Sequence, residues 1–403
     1  MPKKEDAMSS NETEIPRFVA AAEAALALAW HGPLRLGEAM VLRKQGRNRV
    51  LRCPVRDAPD GAPASVIIKA SVGEGADAFD PATDVPGSTS WRFHNEWAGS
   101  ELVGGLGTAP ALGTRLYAAD PAVGVVITED LGAGGCLADR MQGTDRPASE
   151  AGLFAYARSL GRLHAATAGR RAEWRRSSFG TDTQGQEGEG AQWLRENVAP
   201  FRAQCAALGV ALTTGFEAEV AQVAGALDAP GPFLSFTPGD TCLDNHRFVT
   251  EEGLCFFDFE FSGFRHALLD AAYLRAPFPT CWCVSRLPTD LTPRLEEAYR
   301  VELVRGCPEA ADDARFFPAL VSANAYWAIT SVSWTLEEAL KQDEQWGLST
   351  VRQRHPLRLA GFAEVSEQFD VLPALAATTR SLEAELRTLW ADGEDMPLYQ
   401  AFR

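Results

Sequence analysis

The spacing of apolar positions changes character near residue 131. Before that point the apolar runs are short and bounded by turn formers. Residues 39–43 and 49–55 read as two strands flanking the turn Lys44-Gln45-Gly46-Arg47-Asn48. Residues 64–70, ASVIIKA, are apolar and β-branched with a Lys near the end, and predict a third strand. Residues 71–90 are rich in Gly, Asp and Pro and read as a loop. Residues 91–103 place Phe93, Trp97 and Leu102 at helical spacing, and residues 113–117 and 123–128 predict two more strands. At the start, Pro16 suits the first turn of a helix, which is expected over 17–30 behind a disordered tail at 1–14.

After Glu129-Asp130-Leu131-Gly132 the pattern is mostly helical. Residues 153–168 carry Leu153, Tyr156, Leu160 and Leu163 on one face. Residues 193–208, 216–227, 293–305, 316–341 and 371–391 read as further helices, and 177–190 as a polar, Gly-rich loop. No internal repeat is present. The expected domains are a tail at 1–14, a first lobe at 15–131 and a second at 132–403.

Composition is that of a soluble globular protein, with 46% hydrophobic and 23% charged residues in a chain of 403. The net charge of −16 excludes a general nucleic-acid binder, because no basic excess exists to neutralise phosphates. It is compatible with a cationic small-molecule partner. The apolar run at 18–30 carries Glu23 and is too short to span a bilayer, so no membrane role is expected. The start KKEDAMSSNETE lacks the basic region of a secretory signal. The eight cysteines are scattered without a CxxC pair, so reduced thiols and a cytoplasmic location are expected. Cys281-Trp282-Cys283 is too tight for a zinc pair.

Residues 234–270 hold the densest chemistry: LSFTPGDTCLDNHRFVTEEGLCFFDFEFSGFRHALLD. Asp240 and Asn245 form G-D-x-x-x-x-N, and Asp258 follows the short apolar run 254–257 that reads as a strand end. Phosphoryl transfer needs a divalent cation on the donor phosphates and a carboxylate to orient the acceptor hydroxyl. Magnesium takes hard oxygen ligands and keeps several waters, so two protein ligands suffice. Taken singly, Asp and Asn also favour turns, where their side chains bond nearby backbone.

Pro238-Gly239-Asp240 through Asn245, followed by Asp258-Phe259-Glu260, resembles the aminoglycoside phosphotransferase and choline kinase superfamily, the small-molecule kinases with a protein-kinase-like fold. The family loop reads H-G-D-x-x-x-x-N and its metal motif D-F/W-E or D-x-D. The resemblance implies that Asp240 is the catalytic base, that Asn245 and Asp258 hold magnesium, and that Asp270 buttresses the loop. The family His is replaced by Pro238. Within this resemblance, the order strand, strand, strand, helix, strand, strand matches a kinase small lobe. Lys69, ending ASVIIKA, and Glu96, on the following helix, match the phosphate-contacting Lys and the Glu that holds it. Residues 126–131, with Glu129 and Leu131, match the hinge beside adenine, and His164 matches a helix behind the loop, where it reads as a packing residue. The turn containing Gly46 and Asn48 either presents backbone N–H groups to phosphate or is a plain hairpin.

Gly73 to Ala78 fits G-x-G-x-x-A, but the Pro- and Gly-rich stretch that follows forbids the helix a dinucleotide site needs. No G-x-x-x-x-G-K-[ST] occurs. Trp327 and Trp334, one turn before Glu337 and Glu338, suit either a helix core or a cationic acceptor. Glu260 and Asp244 border the active loops as candidates to reach the acceptor or a second metal. The expected fold class is α+β, two-lobed and protein-kinase-like, with a small antiparallel-sheet first lobe and a large, mostly helical second lobe. The expected function is transfer of phosphate from ATP, with Mg2+, to a hydroxyl of a small molecule such as an aminoglycoside, amino alcohol or sugar. The alternative is a catalytically impaired kinase-like binding protein, which Pro238 favours.

Overall fold

The protein is described by a computed structural model covering residues 6–43, 46–83, 85–175 and 189–403. The described residues divide into two compact units. One comprises those up to Gly134 together with Phe256–Ser262, and the other comprises the rest.

The first unit contains α1 (Asp6–Ala29), β1 (Arg35–Leu36), β2 (Met40–Arg43), β3 (Asn48–Arg56), β4 (Ser65–Ser71), α2 (Thr89–Gly104), β5 (Leu116–Asp120) and β6 (Val125–Glu129). Its sheet is antiparallel, in the order β1-β3-β4-β6-β5, with β2 paired to β3. Strand side chains alternate between faces. Val66, Ile68 and Ala70 of β4 are therefore buried on one face, with Leu51, Cys53, Val125 and Ile127, under Phe18, Ala22 and Leu26 of α1. Lys69 is left on the opposite face, opposite Val50 and Val126 in register.

α1 begins at Asp6, well before the expected start, and Pro16 lies inside it. Residues 6–14 are thus helical where a disordered tail was expected. β5 begins three residues later than its pattern suggested, because Gly113 makes only an isolated bridge to Phe256. The segment Gly73 to Ala78 forms a single short 3-10 turn and no dinucleotide helix.

The second unit is mostly helical: α3 (Leu137–Gln142), α4 (Arg146–Thr167), α5 (Arg171–Arg175), α6 (Glu189–Ala207) and α7 (Phe216–Asp228) precede the loop region. There β7 (Leu234–Thr237) and β8 (His246–Thr250) are followed by β9 (Gly253–Phe256) and β10 (Gly263–His266). β7 pairs with β10, and β8 with β9. Then come α8 (Leu268–Ala271), α9 (Leu291–Leu303), α10 (Asp313–Lys341), β11 (Gln345–Trp346), β12 (Ser349–Thr350), α11 (Val351–Phe369) and α12 (Pro373–Leu389). Residues 176–188, most of the expected Gly-rich loop, lie outside the described residues, as do Lys44 and Gln45 of the first hairpin turn.

α11 is absent from the apolar pattern for a physical reason. It carries Pro356 and buries Arg354, His355 and Arg358 beside Leu359, Phe362 and Val365, so charged side chains interrupt its apolar face. The architecture is the expected α+β one. The Asp258-Phe259-Glu260 run, expected with the second lobe, groups instead with the sheet-bearing unit. No helix among the described residues is long and apolar enough to cross a membrane.

Candidate active site

Within the first unit, the Lys69 ammonium donates to Glu96 Oε2 at 2.7 Å and is ion-paired with Asp258. β4 delivers the Lys, α2 the Glu, and the turn after β9 the Asp. Ser88 caps α2 by accepting from the Trp91 N–H at 3.1 Å. The α2 backbone lies so close to the metal-motif turn that a Cβ on Gly99 would approach Phe259 Cβ to 2.5 Å. Asp258 itself sits at φ +68°, a left-handed conformation rare outside Gly, Asn and Asp and common at functional sites.

The charges there are unequal. Burial opposes the Lys69 ammonium, yet the carboxylates of Asp258, Glu96 and Glu260 hold its pKa above the usual lysine value. Burial pushes the Glu96 carboxyl up to about 7, against the pull of Lys69. One cation among three carboxylates leaves excess negative charge, which suits a divalent metal. Among the described residues no three His, Cys, Asp or Glu side chains converge as a metal cage.

The residues of the first hairpin turn and of the end of β6 make contacts within the first unit. Asn48 lies in β3, is buried, and donates its side-chain amide to Glu260 Oε2 at 2.9 Å. Glu260 also accepts from Asn95 at its main-chain oxygen, at 3.3 Å. Gly46 has φ +84°, and its carbonyl accepts from Arg49 at 2.6 Å. Glu129 ends β6, its N–H donating to Arg115 O at 2.9 Å and its carboxylate accepting from the Arg115 N–H at 3.3 Å. Next to Leu131, Asp130 accepts from Ser65 at 2.7 Å, from Arg52 at 2.9 Å and from the Gly132 N–H at 2.9 Å. Burial raises its pKa, but these donors outweigh burial and hold it below the usual value.

Within the second unit, Asp240 follows Gly239, whose φ of +79° makes the sharp turn into the loop. Asn245 donates its amide to the Asp240 carbonyl at 2.9 Å and approaches Asp240 Oδ2 at 3.3 Å. Its N–H also closes a turn onto Cys242 O at 3.0 Å. Thr280 donates to Asp240 Oδ1 at 2.6 Å, and the Tyr273 hydroxyl lies 2.9 Å from Thr280 Oγ1. Tyr156 donates to Thr241 O at 3.0 Å. His246, fully buried, accepts the Leu137 N–H at 3.3 Å, and burial lowers its pKa to about 3, so the ring is neutral. Pro238 is buried.

Cys242 and Cys281 are disulfide-bonded, so the expectation of eight reduced thiols fails at this pair. The bond ties the Asp240 loop to the segment containing Thr280. Trp282 donates its indole N–H to Asp244 Oδ2 at 2.8 Å, which gives Asp244 a protein partner. Neither Thr280 nor Tyr273 was singled out in the sequence; the former only adjoins Cys281-Trp282-Cys283.

His164 is buried, with Nδ1 2.8 Å from the Tyr299 hydroxyl, and it packs as expected. Its Nε2 faces Asp270 Oδ2 at 3.7 Å, too far for a hydrogen bond. Trp327 is buried and donates to Leu269 O at 2.7 Å, a core role, whereas Trp334 is 41% exposed. Glu337 and Glu338 pair with Lys341 on the same helix.

Residues 111–308 match the family model described as the phosphotransferase enzyme family, APH. Among curated proteins none matches. Among solved structures, the chain is similar to a choline kinase from Streptococcus pneumoniae at 12% identity, covering 82% of this chain and 94% of that one, with a TM-score of 0.40. It is similar to an ethanolamine kinase of Plasmodium vivax at 13% identity, covering 85% and 83%, with a TM-score of 0.43. A thermostable mutant of aminoglycoside phosphotransferase APH(4)-Ia, in ternary complex with ADP and hygromycin B, aligns at 12% identity over 90% and 98%, with a TM-score of 0.42.

Proposed function

The chain belongs to the phosphotransferase enzyme family, matched over residues 111–308, and from that premise we propose that it transfers the terminal phosphoryl group of ATP to a hydroxyl of a small molecule, with magnesium. The observation that carries this reading is the placement of Lys69, held by Glu96 and paired with Asp258. Magnesium, when bound, would supply positive charge for the donor phosphates. Lys69 contacts the donor phosphates, and Glu96 keeps its ammonium directed. Asp258 and the side-chain oxygen of Asn245 are the groups that would hold the metal. Asp240 orients the acceptor hydroxyl, receives its proton as the new O–P bond forms, and later releases it to solvent. Glu129 and Leu131 border the adenine, and the turn at Gly46 covers the phosphates. The acidic surface favours a cationic acceptor.

The second reading, a catalytically impaired binding protein, rests on buried Pro238, which supplies no side-chain donor where the family has His. Titration calorimetry with ATP, with and without MgCl2, tests the donor assignment in wild type and Asp258→Asn. Asn tolerates the left-handed backbone, so the variant removes charge alone. Equal, magnesium-independent affinities in both proteins would reject the metal role. ADP release with choline, ethanolamine or hygromycin B as acceptor separates an enzyme from a binding protein: no release with any hydroxyl acceptor favours the second reading.

A further inference from the structure

We propose that Thr280 is a positioning residue for Asp240, the middle member of a directed hydrogen-bond chain that runs from Tyr273 through Thr280 to the catalytic carboxylate. The direction follows from donor arithmetic. An ionised carboxylate only accepts, so the 2.6 Å contact makes Thr280 the donor to Asp240 Oδ1. Its single hydrogen is then used, and Thr280 Oγ1 accepts from Tyr273 at 2.9 Å. The Tyr273 ring is fully buried, and burial raises its pKa well above the ordinary value, so the phenol keeps its proton. Tyr273 also lies 3.3 Å from the carbonyl of Gly239, the residue before Asp240. Consecutive hydrogen bonds polarise one another, which stiffens the terminal contact.

The segment that carries Thr280 is itself immobilised from both sides. Arg358 donates to Pro279 O at 2.9 Å, and Arg354 donates to Cys281 O at 2.7 Å. Both guanidiniums are buried on α11. The Cys242–Cys281 bond closes the same segment onto the Asp240 loop. Oδ1 is thereby fixed by Thr280, while Asn245 approaches Oδ2. Both oxygens of the Asp240 carboxylate are thus contacted by protein groups.

The role assigned to Thr280 rests on Asp240 being the base, and the test keeps the two apart. Steady-state ADP release is measured with Mg·ATP, using water alone and the three acceptors named above, in wild type, Asp240→Asn, Thr280→Val, Thr280→Ser, Tyr273→Phe and the Tyr273→Phe/Thr280→Val double variant. Thr280→Val keeps shape and removes the hydroxyl, and kcat should fall about 10- to 100-fold with KM for ATP unchanged, the usual effect of a misplaced catalytic group. Thr280→Ser should recover most of that loss, which a merely structural role for the methyl would not allow. Tyr273→Phe should cost less, and the double variant should be no slower than Thr280→Val alone. If Asp240→Asn collapses turnover while Thr280→Val stays within about twofold of wild type, a change too small for lost orientation, the positioning role is overturned. If ADP release is absent in wild type or survives Asp240→Asn, the base assignment falls, and the role of Thr280 with it. Should Thr280→Val melt below the assay temperature, Tyr273→Phe decides: a kcat equal to wild type overturns the chain.

Discussion

Asn245 reaches back five residues to donate its side-chain amide to the main-chain carbonyl of Asp240 at 2.9 Å. The nitrogen is committed to the loop, so the side-chain oxygen is the atom offered to a cation. Asn245→Asp would replace that donor with a carboxylate, set against the carbonyl and close to Asp240 Oδ2. An acceptor facing an acceptor should destabilise the second unit by about 1–3 kcal/mol. Thermal unfolding and ADP release check this: both Tm and turnover should fall. A variant as stable as wild type would show that the amide does not hold the loop.

Lys69 contributes differently, as one cation between the buried Glu96 and the half-buried Asp258. Its side chain is 14% exposed and that of Glu96 only 7%. Lys69→Met removes the charge and keeps the packing, leaving the carboxyl groups of Glu96 and Asp258 without their cation. Breaking such a pair from one side should cost about 3 kcal/mol. Glu96→Gln should cost less, since a neutral amide still accepts from Lys69. In calorimetry, Lys69→Met should weaken ATP at least tenfold, about 1.4 kcal/mol, and Glu96→Gln by a smaller factor. The reverse ranking would remove Lys69 from the phosphate site.

The disulfide makes a countable prediction. Of the eight cysteines, the bonded pair leaves six, all buried, as thiols. Denatured without reductant, the chain should react with a thiol reagent at six sites, and at eight after reduction. The bond closes a span of 39 residues, so Cys242→Ser/Cys281→Ser should lower stability by about 3–4 kcal/mol on the loop-entropy account. Eight reactive sites before reduction would refute the pairing.

Acid should unfold the second unit through its histidines. Burial lowers the pKa of His246 to about 3, of His266 to about 4 and of His355 to about 3. Each folded value lies below the unfolded value of about 6.5. The folded state therefore binds fewer protons, and the stability these rings provide is present above about pH 6.5 and is lost as pH falls towards 4. Each contributes a slope approaching 1.4 kcal/mol per pH unit, roughly, in that window. Urea midpoints at pH 7, 6 and 5 should fall steadily in wild type and less steeply in His355→Gln. Identical slopes would show that His355 is not charged by unfolding.

Much of the site was legible because its residues obey local rules. Alternation along ASVIIKA turns Lys69 away from Val66 and Ile68, so the face it occupies follows from strand period. Asp240 and Asn245 stand at a spacing that lets one side chain close on the other's backbone. Other parts lacked any local signal. α11 buries Arg354 and Arg358 against main-chain carbonyls, which interrupts the apolar pattern used to find helices. Thr280 and Cys281 meet Asp240 and Cys242 only through tertiary folding, and the pairing of eight cysteines does not follow from their order. The side-chain bond of Asn48 to Glu260, which is 212 residues away, has no local signal either.

Asp240 and Pro238 together decide between an enzyme and a disabled kinase. Asp240→Asn keeps shape and can still accept from Thr280 through its amide oxygen, so ATP binding should be retained. An amide is a far poorer proton acceptor, and loss of a general base costs on the order of a hundredfold or more. Pro238 tests the loop from the other side. It is buried, and the backbone turn it precedes is formed by Gly239 at φ +79°. Asn245, Thr280 and Tyr273 already hold Asp240 and its neighbouring carbonyls. If these contacts supply what the family His supplies elsewhere, Pro238→His should leave turnover within about tenfold of wild type, under ~1.4 kcal/mol in barrier. A disabled kinase behaves otherwise: wild type would be inert towards every acceptor, and Pro238→His would create activity. The decisive pair of measurements is ADP release by wild type and by Pro238→His under the same acceptor. Activity only in the variant would identify the proline as the lesion and overturn the reading of this chain as an active phosphotransferase.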